Sequence, residues 1–130
     1  MDRSKLYRLM GTCYNTSDFT PFGKHLSPSV IYESHDFLYK LKGRDRVMEY
    51  FAERTLANGE RPEDKKHIAY GGFYKEPFLA GTRLAECIVI CRPDHSPIRL
   101  VTLKIKRGKV CEITGLDPAA NSFTRGPLIA

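Results

Sequence analysis

The sequence predicts an α+β domain in which a strongly curved antiparallel sheet wraps, cone-like, around N-terminal helices and one inserted helix. Three observations carry this. An amphipathic helical stripe opens the chain. The run SPSVIYESHDFLYKLKGRDRVMEYFAERTLAN, residues 27–58, reads as strand, returning strand, glycine and helix. Three long strands joined by short turns follow.

The first helix spans residues 4–15. Leu6, Leu9, Met10, Cys13 and Tyr14 recur at i, i+3, i+4, i+7 and i+8, so they share one face. Asp2 or Ser4 caps it, because a short polar side chain can accept an orphan N–H of the first turn. Asn15-Thr16-Ser17-Asp18 breaks it, and Phe19 to Leu26 reads as a second, short helix with Pro21 in its first turn. Ser27-Pro28 ends that helix. Val30, Ile31 and Tyr32 begin a strand, and Phe37 to Leu41 return as another.

Gly43 opens a helix from about Arg44 to Leu56, with Val47, Met48, Tyr50, Phe51 and Leu56 as its apolar set and Asn58-Gly59 as its stop. Residues 59–66 are a charged loop. His67 to Tyr74 read as a strand with a bulge at Gly71-Gly72, followed by a loop at 75–82. The strands Arg83–Arg92, Pro97–Lys106 and Lys109–Leu116 are separated by Pro93-Asp94-His95-Ser96 and Arg107-Gly108. Residues 1–116 thus form one domain, and 117–130, without period, read as a tail.

Composition bounds the rest. A chain of 130 residues, 42% hydrophobic and 28% charged, supports a single core. No apolar run reaches the ~20 residues of a membrane helix, and the charged start lacks the apolar stretch of a secretory signal, so a cytoplasmic protein is expected. Cys13, Cys87, Cys91 and Cys111 form no C-x-x-C pair. Cys87 and Cys91 are four residues apart along a strand, roughly 13 Å, too far to share a metal. Reduced, buried thiols and no metal are expected. The net charge of +6 is dispersed: Lys40 and Lys42 alternate around Leu41, and Lys104 and Lys106 around Ile105. That is a solvated strand face rather than a nucleic-acid footprint.

The order of elements, and above all the spacing from Ser17-Asp18 through VIYES and Gly43-Arg44 to Val47–Phe51, resembles the nuclear-transport-factor-2-like superfamily in its SnoaL-like or ketosteroid-isomerase-like branch. The resemblance covers residues 4–116 and implies a cystatin-like roll with a cavity between the helices and the concave face of the sheet. Ketosteroid isomerases place an oxyanion-donating tyrosine, a base aspartate and a protonated aspartic acid where this chain has Met10, Ser34 and, near the third place, Val101. None of these can do that work, since methionine and valine offer an oxyanion no donor and a lone serine is not a base.

The cavity is expected to be lined from the helices by Met10, Tyr14 and Phe51, and from the strands by Tyr32, Ser34, Tyr70, Val101, Leu103, Ile105 and Ile113. Its mostly apolar wall suits a small hydrophobic or aromatic molecule. No cofactor is called for. If the chain is catalytic, cofactor-free acid–base chemistry of the isomerase or cyclase type is the class, with Tyr14 as donor and His35 as base. Both also have plain readings, Tyr14 as a core aromatic and His35-Asp36 as a turn. Glu33 alternates to the other strand face. His25, His67 and His95 read as solvated, and Asp117-Pro118 as a helix start. The alternative function is a non-catalytic interaction module. In LAECIVICR both faces are apolar, so a homodimer through the convex face of the sheet is expected, and a tail covering Ile88 and Ile90 would count against it.

Overall fold

The computed structural model describes residues 2–36, 40–57, 67–78 and 81–129, without the side chains of 54–57, 77 and 78. Helix α1 is Arg3–Thr16, and its first turn is capped by the Asp2 carboxylate, which accepts from the Lys5 N–H. Leu6, Met10, Cys13 and Tyr14 of the expected stripe are buried, Leu9 is half-buried, and Tyr7 is buried with them. The expected second helix is a single 3-10 segment, Thr20–His25. Its N-cap, Phe19, offers no side-chain acceptor, and the Asp18 carboxylate instead takes the Thr20 N–H at 3.0 Å.

The first strand starts earlier than the sequence suggested. β1 runs Leu26–Ser34, and Ser27-Pro28 lie inside it rather than ending a helix. The register of β1 shifts between Leu26 and Ile31, so Pro28 sits where no ladder bond is asked of it. Of the returning strand only Leu41–Lys42, β2, belongs to the described residues, because 37–39 lie outside them. Helix α2 spans Arg44–Ala57 with Val47 and Phe51 buried; its expected stop at Asn58-Gly59 and the charged loop 59–66 lie outside the described residues.

The remaining strands are β3 (Ile68–Phe78), β4 (Gly81–Cys91), β5 (Pro97–Lys106), β6 (Lys109–Leu116) and β7 (Phe123–Leu128). All seven form one curved, unclosed sheet in the order β2-β1-β6-β5-β4-β3-β7. Among the described residues only β1 and β6 pair in parallel. The expected loop at 75–82 is mostly strand, since β3 pairs with β4 from Ile68↔Cys91 out to Phe78↔Gly81. The bulge expected at Gly71-Gly72 exists, but on the β7 side, between Tyr70 and Gly72.

Strand β7 corrects the reading of 123–128 as an irregular tail. After Leu116 the chain passes through a short 3-10 turn, Pro118–Ala120, whose Ala119 N–H is met by the Asp117 carboxylate. The turn touches β5, and the chain then joins the far edge of the sheet beside β3. Glycine, proline and single apolar residues give β7 no period-2 signal of its own. Its place is set by main-chain pairing with β3 and by Ile129, which is buried against Gly11 of α1.

Two apolar layers result. The inner face of the sheet, with Val30, Tyr32, Ala69, Ile88, Ile90, Val101, Leu103, Val110 and Ile113, packs on both helices. On the outer face Tyr74, Cys87, Val89, Cys91 and Leu100 pack with Leu116 and Phe123. Both faces of the last half of β4 are therefore covered within the chain, Ile88 and Ile90 by the helices and Cys87, Val89 and Cys91 by the outer cluster. All four cysteines are free thiols. Beyond Ile88↔Val101 the β4–β5 ladder stops, and the Tyr7 hydroxyl meets the Leu103 backbone there, taking its N–H at 2.8 Å and donating to its carbonyl at 3.2 Å.

The Asn15 side-chain amide ties the C-terminal segment down. It donates to the Ile129 carbonyl and accepts the Ala69 N–H, each at 2.7 Å. A methyl group at Gly11 would overlap the Ile129 side chain. We expect Gly11→Ala to destabilise the fold by about 1–3 kcal/mol through overpacking, read as a lower urea midpoint. An unchanged midpoint would show that Ile129 does not hold this position.

Candidate functional site

The inner face carries few polar groups, and they gather at one end. Tyr14 comes from α1, Tyr32 and Ser34 from alternate positions of β1, Tyr50 and Phe51 from α2, and Arg99 from β5. Ser34 and Arg99 are the buried non-aromatic polar residues among those described. The aromatic rings form a continuous wall. Phe19 stacks on Phe51 at 4.4 Å, and Tyr14 meets Phe19 edge-on at 5.0 Å. Tyr32 meets Phe51 edge-on at 5.3 Å and lies 5.4 Å from Tyr50.

Arg99 reaches this wall because β6 has no side chain in its way. Gly115 pairs with Ser34 on one side and Val101 on the other. A Cβ there would come within 2.6 Å of the Ser34 Oγ and 2.8 Å of the Arg99 Cδ. The bare Cα lets the two side chains meet across it.

The Arg99 side chain is 6% exposed, and its Nη2 donates to the Asp36 carboxylate at 2.7 Å. Asp36 stands on the turn after β1, 42% exposed, at the rim. The backbone of that turn is fixed by the His35 N–H, which donates to the Gly115 carbonyl at 3.0 Å. Partial burial works against the Asp36 carboxylate, but the Ser34 hydroxyl and the Arg99 charge outweigh it and hold the carboxyl below its ordinary range. Burial also disfavours the Arg99 cation, but the Asp36 carboxylate beside it works the other way, and a guanidinium, whose ordinary pKa lies far above neutrality, stays charged. Burial, with Tyr14 beside it, pushes the Tyr32 phenol up, so at neutral pH it is a neutral O–H. The interior thus offers phenol donors, one fixed cation and, at its rim, one ionised carboxylate.

Of the expected lining, Met10, Tyr14, Tyr32, Phe51, Val101, Leu103 and Ile113 are buried in a single cluster, Ser34 is buried at its polar end, and Ile105 is half-buried at its margin. Tyr70 is not part of it. It lies on the outer face, its hydroxyl 2.8 Å from His95 Nδ1 and the Arg125 guanidinium 4.6 Å over its ring. The sequence put it on the wrong side because β3 was read without a fixed register, and a one-residue choice of register swaps the faces. His35 is exposed at the rim rather than inside. Of the histidines read as solvated, His95 is exposed with Tyr70 as its partner, whereas His67 is half-buried, edge-on to Tyr14 at 6.1 Å, and His25 Nε2 is buried.

Arg99 and Tyr50 were missed as site residues. Arg99 left a trace, because period-2 alternation in PIRLVTLKIK puts it on the face of Val101 and Leu103, a charge where apolar residues belong. Tyr50 also borders a cleft of ≈ 210 Å³ between α2 and Leu41 of β2, with Arg46, Glu49 and Glu53 on its wall. Among the described residues no three His, Cys, Asp or Glu side chains come together as a metal set, and no helix is long and apolar enough to cross a membrane.

Because its folded pKa is lowered, Asp36 should contribute stability above the ordinary carboxylate pKa and lose it only as pH falls through the lower folded value. Carbon-detected NMR should place its midpoint below about 3.9. A midpoint at or above that value would contradict the Asp36–Arg99 pair.

No protein-family model matches the chain, and no curated protein matches it by sequence. Solved structures do. A nuclear-transport-factor-2-like protein of unknown function from Mesorhizobium loti superposes with a TM-score of 0.57 at 14% identity, over 90% of this chain and 94% of that one. A candidate ketosteroid isomerase from Kribbella flavida gives 0.53 at 19% identity, over 88% and 76% of the two chains. A candidate polyketide cyclase from Sinorhizobium meliloti gives 0.52 at 10% identity, over 85% and 93%. The chain has the nuclear-transport-factor-2-like fold, the one its sequence resembles.

Proposed function

We propose that this chain takes up a small hydrophobic or aromatic molecule between its helices and the inner face of its sheet, and that any chemistry there is cofactor-free acid–base chemistry of the isomerase or cyclase kind. One observation carries the reading: phenol hydroxyls and a guanidinium stand buried among aromatic rings at one end of an otherwise apolar core. A guanidinium costs free energy in such a place unless it is fully paired, and the Arg99 Nε has no hydrogen-bond partner among the described residues. The candidate isomerase and cyclase that share the fold lend the reaction class. Tyr14 is the donor in this reading. The base belongs to the His35-Asp36 turn, where Asp36 is the member bonded to the interior. Ketosteroid isomerisation is not proposed, since Met10, Ser34 and Val101 lack the required groups. The free thiols support a reducing compartment, the cytoplasm.

Equilibrium dialysis with 2-naphthol tests the pocket. Saturable binding is expected, with Tyr14→Phe weakening it by roughly five- to a hundredfold where the ligand oxygen uses the hydroxyl, the equivalent of about 1–3 kcal/mol. Absence of saturable binding would end this reading.

A second reading, a homodimeric interaction module, is favoured by Phe73 and Leu84, which are 52% and 69% exposed on the part of the β3–β4 hairpin beyond the end of the β4–β5 ladder. Sedimentation at micromolar concentration should then show a dimer that Leu84→Lys dissociates. A monomer would dismiss it.

A further inference from the structure

We propose that Arg99 is the recognition group of the interior and that the molecule it selects is an aromatic or alicyclic acid, whose carboxylate replaces Asp36 on the guanidinium. This rests on the pocket reading above and adds the charge of the ligand.

The case begins with what Arg99 has and lacks. A guanidinium presents five N–H donors in a planar fork matched to a carboxylate. Here Nη2 meets one oxygen of Asp36, while Nε is buried and has no hydrogen-bond partner among the described residues. A purely structural ion pair in so dry a place would be expected to use both prongs of the fork.

Asp36 is the kind of partner that can leave. Its turn is anchored through the backbone at His35, so the carboxylate can swing outward without unpicking β1, and it is already 42% exposed. Outside, the carboxylate is hydrated again, so the cost of parting the pair falls on the buried guanidinium rather than on Asp36. Arg99 cannot follow, because it rises from the middle of the sheet over Gly115. Departure of Asp36 would leave a fixed cation facing Tyr14, Tyr32 and Tyr50, with no other buried acid among the described residues to neutralise it. An incoming carboxylate restores the pair, its oxygens can take the fork, and the ring or alkyl body behind it meets Phe19, Tyr32 and Phe51. A neutral ligand of the same shape would bury the cation without a counter-charge, which is the more costly state.

The test compares 2-naphthoate with 2-naphthamide, equal in shape and differing in charge, by equilibrium dialysis on the full chain. The acid should bind at least tenfold more tightly than the amide. Arg99→Gln should abolish the preference while leaving amide binding in place. Asp36→Asn, which removes the competing carboxylate, should strengthen acid binding several-fold with the amide unchanged. Equal or tighter binding of the amide by the unaltered protein would overturn the role of Arg99, while saturable 2-naphthol binding would keep the pocket reading standing. Failure of all three compounds to bind would overturn both. Should Arg99→Gln not fold, Asp36→Asn decides: an unchanged acid-to-amide ratio marks the pair as a structural tie and refutes the proposal.

Discussion

The parallel ladder that aligns Tyr32 with Ile113 and Ser34 with Gly115 fixes where the other parts of the molecule sit. It joins the first strand of the chain to the sixth, so the β3–β4–β5–β6 meander must fold back and present one face to α1 and α2. Every other pairing is antiparallel and joins its strands through short connections or at an edge. Because a parallel pair needs a long crossover, all the intervening chain is committed to that return. The same ladder sets the site: only in this register does the bare Cα of Gly115 lie between Ser34 and Arg99.

Burying Arg99 shapes the chemistry of the interior. A core holding only Met10, Phe51, Val101 and Ile113 would be apolar filling. A guanidinium at its end keeps one charge in a dry environment, where it acts over a greater range than it would in water. The Asp36 carboxylate balances that charge from the rim, and the Tyr32 phenol near it remains a neutral donor. This differs in kind from the donor, base and acid that the resemblance to ketosteroid isomerases implies. The shared fold therefore says little about a shared site.

The C-terminal segment does for the outer face what α1 and α2 do for the inner one. Phe123 joins Tyr74, Val89 and Leu100, and Ile129 returns to α1, where Asn15 holds its backbone. Both faces of the stretch 87–91 are thus covered inside a single chain. Of the large apolar residues left outward among those described, Leu128 ends β7, while Phe73 and Leu84 sit where the β3–β4 hairpin outruns β5. There Tyr7 supplies the Leu103 backbone with the partners that β4 does not.

By itself the sequence determined the elements whose signals are local. The stripe of α1, the Asp2 cap, the span of α2 and the limits of β5 and β6 follow from periodicity and turn chemistry within a few residues. It also determined which residues were to meet on the inner face, from Met10 and Tyr14 to Tyr32, Ser34 and Ile113, because helical and strand periods sort side chains by face. Tertiary structure alone decided what depends on pairing between distant segments. β7 exists because β3 offers an edge. Tyr70 lies outside because register, not composition, chooses its face. Phe19–Leu26 tightens to a 3-10 turn because β1 claims Leu26. Arg99 becomes the centre of the site only when Gly115 is brought beneath it, a contact that no local pattern encodes.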